Sequence, residues 1–267
     1  MIAIILIVIL LIVYFLAENI FMLRVRREKL GGEFRIAHVA DLHKRKFGRN
    51  NARLCRKIAA EKPDIILMSG DLVSRKCTDF TCAEATLRQL NDIAPVYMVY
   101  GNHESDLYRE YKKVFEDTVR RTGTILLRND VETVEKSGRK LHICGLELER
   151  EVYKKDGGYR ELDVLEIEEM HDKLGKKPEG ETLLLVHNPL FAGVYEEWGA
   201  DWAGCGHVHG GAILIPFTGV GVLSPERRLF PKYSKGIYTL GKTKLLLSGG
   251  LGKLRLFNPP EVVIYEI

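Results

Sequence analysis

Apolar and polar positions follow one another along this chain in three different ways. Residues 2–17 are an almost unbroken apolar run, followed by Glu18-Asn19 and a second short run at 20–23. A helix that crosses a bilayer needs about 20 apolar residues, so residues 1–23 are expected to form a transmembrane signal anchor with Glu18 and Asn19 near an interface. No basic segment precedes the run and no small-x-small cleavage site follows it, which argues against a cleaved leader. Arg24, Arg26, Arg27 and Lys29 come directly after it, then Gly31-Gly32. Residues 24–33 are therefore expected to be a basic juxtamembrane linker. The positive-inside rule places everything beyond that linker in the cytoplasm of a single-pass membrane protein.

From residue 34 onward, short apolar runs alternate with amphipathic segments. Residues 34–40, 64–69 and 95–100 read as buried strands. Between and after them, residues 50–61 (Leu54, Ile58), 79–90 (Phe80, Ala83, Leu87, Leu90) and 108–119 (Tyr111, Phe115, Val119) repeat at helical spacing. This order predicts right-handed crossovers and a largely parallel first sheet. After Gly123 short strand patterns crowd together at 124–128, 131–134 and 141–144, and further strands are expected at 182–186, 244–248 and 262–267. Residues 149–180 are highly charged, with a helical stripe of Leu162, Leu165, Glu166, Met170 and Leu174; a solvated helix suits them, as does a cap leaning over a site.

Composition narrows the classes. A chain of 267 residues with 46% hydrophobic content can bury one α/β core, expected over residues 34–267. The net charge of +4 is mild and much of it sits just after the apolar segment, so no nucleic-acid partner is expected. Cys55, Cys77, Cys82, Cys144 and Cys205 are odd in number and lack C-x-x-C spacing, which excludes a disulfide framework or zinc ribbon and fits free thiols in a reducing compartment.

The candidate chemistry lies at the ends of the apolar runs. Residues 34–40 lead into Asp41-Leu42-His43, 64–69 into Gly70-Asp71, and 95–100 into Gly101-Asn102-His103-Glu104. Later, 182–186 end at His187, and a short segment from Asp201 ends at Gly206-His207-Val208-His209. Sites in α/β sheets are built at such strand ends. Asp41, His43, Asp71, Asn102, His187, His207 and His209 offer oxygen and imidazole donors without thiolate, a set that suits Mn, Fe, Co, Zn or Ni. On extended chain, Asp-x-His and His-x-His would project both side chains to one side. The donors exceed what one tetrahedral ion accepts, so two divalent ions sharing a carboxylate is the economical arrangement.

These five motifs, in this order and spacing over residues 35–267, resemble the calcineurin-like metallophosphoesterase superfamily. The apolar N-terminus and the closing run at 249–261 are similar to its bacterial membrane-associated branch. The resemblance implies a four-layer αββα sandwich with two mixed sheets face to face and helices outside. It implies that Asp41, His43 and His209 hold one ion, that Asn102, His187 and His207 hold the other, and that Asp71 bridges them. His103 would protonate the leaving oxygen, with Glu104 orienting it, while a hydroxide bridging the ions attacks phosphorus. The expected activity is membrane-anchored hydrolysis of a phosphodiester, pyrophosphate or phosphomonoester; a phospholipid or nucleotide-linked lipid headgroup is one substrate class that a tether permits. Soluble nucleotides and phosphoproteins are the alternative substrates. A non-catalytic metal-binding scaffold is a third reading, against which the complete donor set speaks.

Lys44-Arg45-Lys46 departs from the small or polar residues that often follow Asp-x-His in this superfamily, and could bind phosphate or anionic lipid or be solvated. His38, His142 and His171 match no motif and are expected to be structural.

Overall fold

The short apolar runs become strands that are covered on both faces. In the computed structural model, which describes residues 1–153 and 163–267, the strands are β1 (Arg24–Lys29), β2 (Arg35–Val39), β3 (Ile65–Met68), β4 (Val96–Met98), β5 (Ile125–Leu126) and β6 (Asp130–Lys136). They continue with β7 (Arg139–Leu146), β8 (Glu181–Val186), β9 (Trp202–Cys205), β10 (Gly236–Leu240), β11 (Thr243–Leu247) and β12 (Glu261–Glu266). The helices are α1 (Ile2–Ile20), α2 (Ala52–Ala60), α3 (Thr81–Asn91), α4 (Asn102–Ser105), α5 (Arg109–Arg121), α6 (Ile167–Leu174) and α7 (Ala192–Trp198). Leu162, expected on the stripe that became α6, lies outside the described residues.

Among the described residues the strands form two six-stranded sheets, ordered β1-β12-β2-β3-β4-β5 and β10-β11-β9-β8-β7-β6. Both are mixed. The first is parallel from β2 through β5, as the alternating pattern predicts, while β12 runs antiparallel to β2. In the second, β7, β8, β9 and β11 are parallel and the edges β6 and β10 are antiparallel.

Successive side chains on a strand point to opposite faces, and this alternation builds the layers. Ala37, Val39, Ile66 and Met68 pack outward with Leu54 and Ile58 of α2, Leu87 and Leu90 of α3, and Phe115 and Val119 of α5. Ile36, Leu67 and Tyr97 point the other way and meet Leu141, Ile143, Leu183 and Leu185 between the sheets. Beyond the second sheet, Leu184, Val186 and Leu245 pack with Met170 of α6 and Tyr195 and Trp198 of α7. The result is the expected four layers, helix, sheet, sheet, helix.

The expectation of a linker at residues 24–33 is corrected by the structure: Arg24–Lys29 is strand β1, paired in parallel with β12 from Arg24↔Glu261 to Lys29↔Glu266. Backbone hydrogen bonds do not require apolar side chains, and a charged sequence is what a sheet edge tolerates. Its charges find partners: Arg26 reaches Glu28 and Glu261, and Arg27 pairs with Glu61. α1 leaves the domain with its apolar side chains exposed, but its last turn is bolted down. Glu18 is fully buried and accepts from the Phe257 N–H at 2.9 Å, and Asn19 exchanges hydrogen bonds with the Arg255 backbone. Arg45 of the basic triplet turns inward and donates to the carbonyls of Glu18, Met22 and Gly252, while Lys44 and Lys46 stay exposed.

Candidate metal centre

Five loops at the carboxyl ends of β2, β3, β4, β8 and β9 converge where the two sheets meet. Two glycines let the first loops approach: a Cβ on Gly70 would lie 2.4 Å from the Gly101 nitrogen, and one on Gly101 would lie 2.2 Å from Asp71 Oδ1. Asp41, His43, Asp71, His207 and His209 all adopt left-handed backbone, with φ between 51° and 70°. Asp-x-His and His-x-His are thus not extended chain, as read above. Their side chains converge because the backbone kinks at each ligand position, while Leu42 and Val208 between them are buried in the core. Left-handed backbone costs such residues roughly 1–2 kcal/mol each, and strain of this kind gathers at sites that surrounding structure holds in place.

Asp71 is the centre of the group. Its Oδ2 lies 3.4 Å from His187 Nε2, 3.7 Å from His43 Nε2 and 4.0 Å from His103 Nε2. Donor atoms of Asp41, His43 and His209 lie within 4.8 Å of one another, as do those of Asp41, Asp71 and His187, and of His43, Asp71 and His103. Asn102 Oδ1 is 3.2 Å from His187 Nε2. Two ligands bound to one ion at about 2.1 Å in tetrahedral geometry stand about 3.4 Å apart, so the spacing fits shared cations better than direct hydrogen bonds. Asp41 Oδ2 and His43 Nδ1 are buried without a hydrogen-bond partner among the described residues. Two carboxylates buried together also call for positive charge. Asp41 is pushed up by burial and by Asp71, although His187 pulls the other way. Burial opposes the Asp71 charge too, but the imidazoles of His187, His43 and His103 outweigh it and hold its carboxyl far below the usual range. Burial drives His187 down, but Asp71, Asp41 and the hydrogen bond to the Ser69 carbonyl together outweigh it and raise it to about 9. A divalent ion would replace that proton.

His103 and Glu104 open α4, and the structure corrects their expected relation. Glu104 is fully buried and does not face His103. Its carboxylate accepts from the backbone N–H groups of Asp71 (2.8 Å), Val73 (2.9 Å) and Gly101 (2.9 Å), clamping two ligand loops together. Burial and the Asp71 charge push its carboxyl up to about 7, against the three donors, which favour the carboxylate. Leaving three buried N–H groups unpaired costs roughly 1–3 kcal/mol apiece. Glu104→Ala is therefore expected to lose about 3 kcal/mol or more of unfolding free energy, read as a lower urea midpoint at constant m-value in detergent. Glu104→Gln should lose less, and an unchanged midpoint in Glu104→Ala would refute the clamp. His103 is oriented from elsewhere: the Arg75 N–H donates to its Nδ1 at 3.2 Å, which leaves the ring proton on Nε2. Burial lowers this imidazole to about 4 despite the pull of Asp71.

His207 stands slightly apart from the three groups. Its N–H donates to Asp41 Oδ1 at 3.1 Å, while its Nε2 makes a very short contact to Glu226. Burial opposes the Glu226 charge, but the His207 hydrogen bond holds its carboxyl down to about 2. Sequence reasoning missed Glu226; the available signal was that it is the one acidic residue in an apolar and basic stretch from 210 to 235. Asp71, Asn102, His103, His207 and His209 line a cavity of about 220 Å³. Its wall carries two guanidinium groups: Arg75 Nη1 and Arg150 Nε grip Asp106 at 3.1 and 3.0 Å. His38 is a buried partner of Ser69, and His142 bonds Thr133, both structural as expected.

Residues 34–217 match the family model of calcineurin-like phosphoesterases. The chain belongs to that family. A calcineurin-like phosphoesterase uses two divalent metal ions, and the Asp71-centred donors suit them. The chain is a metal-dependent phosphoesterase. It is 25% identical to phosphodiesterase YaeI of Escherichia coli over 241 residues, covering 88% of this chain and 82% of YaeI. It is 29% identical to a metallophosphoesterase of Aquifex aeolicus over 265 residues, covering 95% and 92% of the two chains. Among solved structures, the sulfate thiohydrolase SoxB of Thermus thermophilus superposes with a TM-score of 0.54 at 16% identity, over 88% of this chain and 57% of SoxB. That likeness concerns the fold.

Proposed function

We propose that this phosphoesterase is a membrane-anchored dinuclear phosphohydrolase, with Asp41, His43 and His209 around one ion, Asn102, His187 and His207 around the other, and Asp71 between them. The observation that carries this reading is the position of Asp71 Oδ2, which faces His43 on one side and His187 on the other. Bound ions would supply positive charge to the phosphoryl oxygens and bring the pKa of a water near neutrality. The chain's own residues do the rest. Asp71 Oδ1 accepts the backbone N–H of His103 at 2.8 Å, which ties the first turn of α4 to the candidate ligand cluster. His103 presents its Nε2–H to the leaving oxygen, as neutral imidazoles do in other enzymes. Arg75 and Arg150 put positive charge on the approach to the cavity and favour an anionic substrate. Tyr153 packs its ring on His207 and His187, at 5.1 and 5.9 Å between centroids, and closes that side to water.

The test is a substrate panel for the purified, metal-reconstituted full chain in detergent, covering diesters, monoesters, nucleotide pyrophosphates and lipid headgroups. Turnover of at least one class that falls about 10²–10⁴-fold in His103→Ala supports the reading; none across the panel would sink it.

The anchor reading rests on α1, whose 19 residues have a mean hydropathy of 2.7 and are almost wholly exposed. The basic flank that follows favours a cytoplasmic domain. A cysteine introduced at exposed Lys176, with the native cysteines removed, is expected to resist an impermeant thiol reagent in intact cells and to react after lysis. Reaction in intact cells would reverse the topology.

A further inference from the structure

Exposed apolar side chains are not confined to α1. Large apolar side chains are exposed in one ordered loop after the His207-x-His209 motif and in the closing run: Ile215, Phe217, Val220, Leu229, Phe230 and Leu254, with Phe217 fully exposed. The loop is held by bridges Leu214↔Gly221 and Leu223↔Leu229, so these side chains are displayed and not simply loose. Phe217 and Phe230 sit at φ of 67° and 52°, backbone that bulky residues rarely adopt. An apolar patch of this kind on a soluble surface marks an interaction site.

Continuity with α1 indicates the partner. Ile213 pairs with Leu256, and the neighbouring Phe257 stacks on Tyr14 of α1 with 5.2 Å between ring centroids. A helix of 19 residues is about 28 Å long and is all needed to cross a core of about 30 Å. The hydrocarbon boundary therefore passes near Ile20. Tyr14 lies six residues earlier, so Phe257, and beside it the base of the loop where Ile213 pairs with Leu256, would sit about 9 Å inside that boundary. Interfacial elements reach about 5–10 Å. The loop also carries Arg227 and Arg228, with Lys232 just after it, while its one carboxylate, Glu226, is turned inward onto His207. Basic residues near anionic lipid contribute about 1 kcal/mol each.

We propose, on the reading that α1 spans the membrane, that the loop from Ile213 to Phe230 together with Leu254 inserts into the anionic leaflet from which α1 emerges. Pro225 and Glu226 of the same loop line the cavity, so insertion sets one wall of the metal site against the bilayer surface.

The full chain carrying Phe217→Trp is reconstituted into vesicles of phosphatidylcholine and phosphatidylglycerol in equal parts, with and without acyl-brominated phosphatidylcholine. The native Trp198 and Trp202 are buried and give the unquenched background. Bromine is expected to quench most of the added emission, and Leu229→Trp should behave alike. Hydrolysis of a soluble aryl diester by both variants shows that they are folded. A carbonate-resistant chain whose added tryptophan is not quenched would overturn the loop and leave the anchor standing. The same result with a dimer in detergent would give the loop to a second copy of the chain. A wild-type chain stripped from vesicles by carbonate would overturn the anchor, and the loop proposal with it.

Discussion

Asp71→Asn is expected to purify with both metal positions depleted and to hydrolyse phosphodiesters about 10³-fold more slowly or worse. Asp71 Oδ2 lies 3.7 Å from His43 and 3.4 Å from His187, so on the proposed assignment the neutral amide removes the charge that both positions would share. Metal ions stabilise phosphoryl-transfer transition states by several kcal/mol, and each 1.36 kcal/mol is a factor of ten in rate. The substitution preserves shape, and the amide oxygen can still accept the His103 N–H, so folding should survive. Elemental analysis after gel filtration, paired with turnover of bis-(p-nitrophenyl) phosphate, checks both halves. A variant that retains a full complement of metal and full turnover would remove Asp71 from the centre of the account.

His103→Ala should separate metal content from catalysis. The ring is held by the Arg75 N–H and lies 4.0 Å from Asp71, at the outer side of the donor cluster and on the wall of the cavity. Metal content should therefore stay near that of the wild type. Positioned proton donors contribute about 10²–10⁴-fold, and the deficit should fall in that range for an alkyl leaving group. It should shrink steadily along a series of aryl diesters as the leaving-group pKa falls, because a stable phenolate needs less help from Nε2–H. A deficit equal across the series would assign His103 to stabilising charge on the phosphoryl oxygens.

The candidate site is legible in the sequence wherever a buried strand runs straight into a candidate ligand. Covered on both faces, β3 appears as a plain apolar run, β8 as one after Glu181-Thr182 and β2 as one interrupted by His38, and each leads into a polar candidate ligand. Amphipathic α2, α3 and α5 were legible for the complementary reason, one face packed and the other wet. β1 was not, because its pairing with β12 lies in the backbone and its charged side chains imitate a linker. Glu104 was assigned to the wrong neighbour: it is adjacent to His103 in sequence, but its acceptors point at the Asp71 loop, brought there by sheet pairing. Glu226 was invisible for a similar reason, since a loop reversal returns it to His207 across 19 positions. Left-handed backbone at five candidate ligand positions leaves no local mark when the residues are Asp and His rather than Gly.

The most direct test titrates Mn²⁺ into the chelator-stripped full chain, following heat of binding and diester hydrolysis together. Two ions are expected to bind per chain, with activity returning as they bind and a raised thermal midpoint because the ions bind the folded state. Diester hydrolysis by the stripped chain, or an Asp71→Asn variant that takes up the same two ions and recovers the same rate, would contradict that expectation.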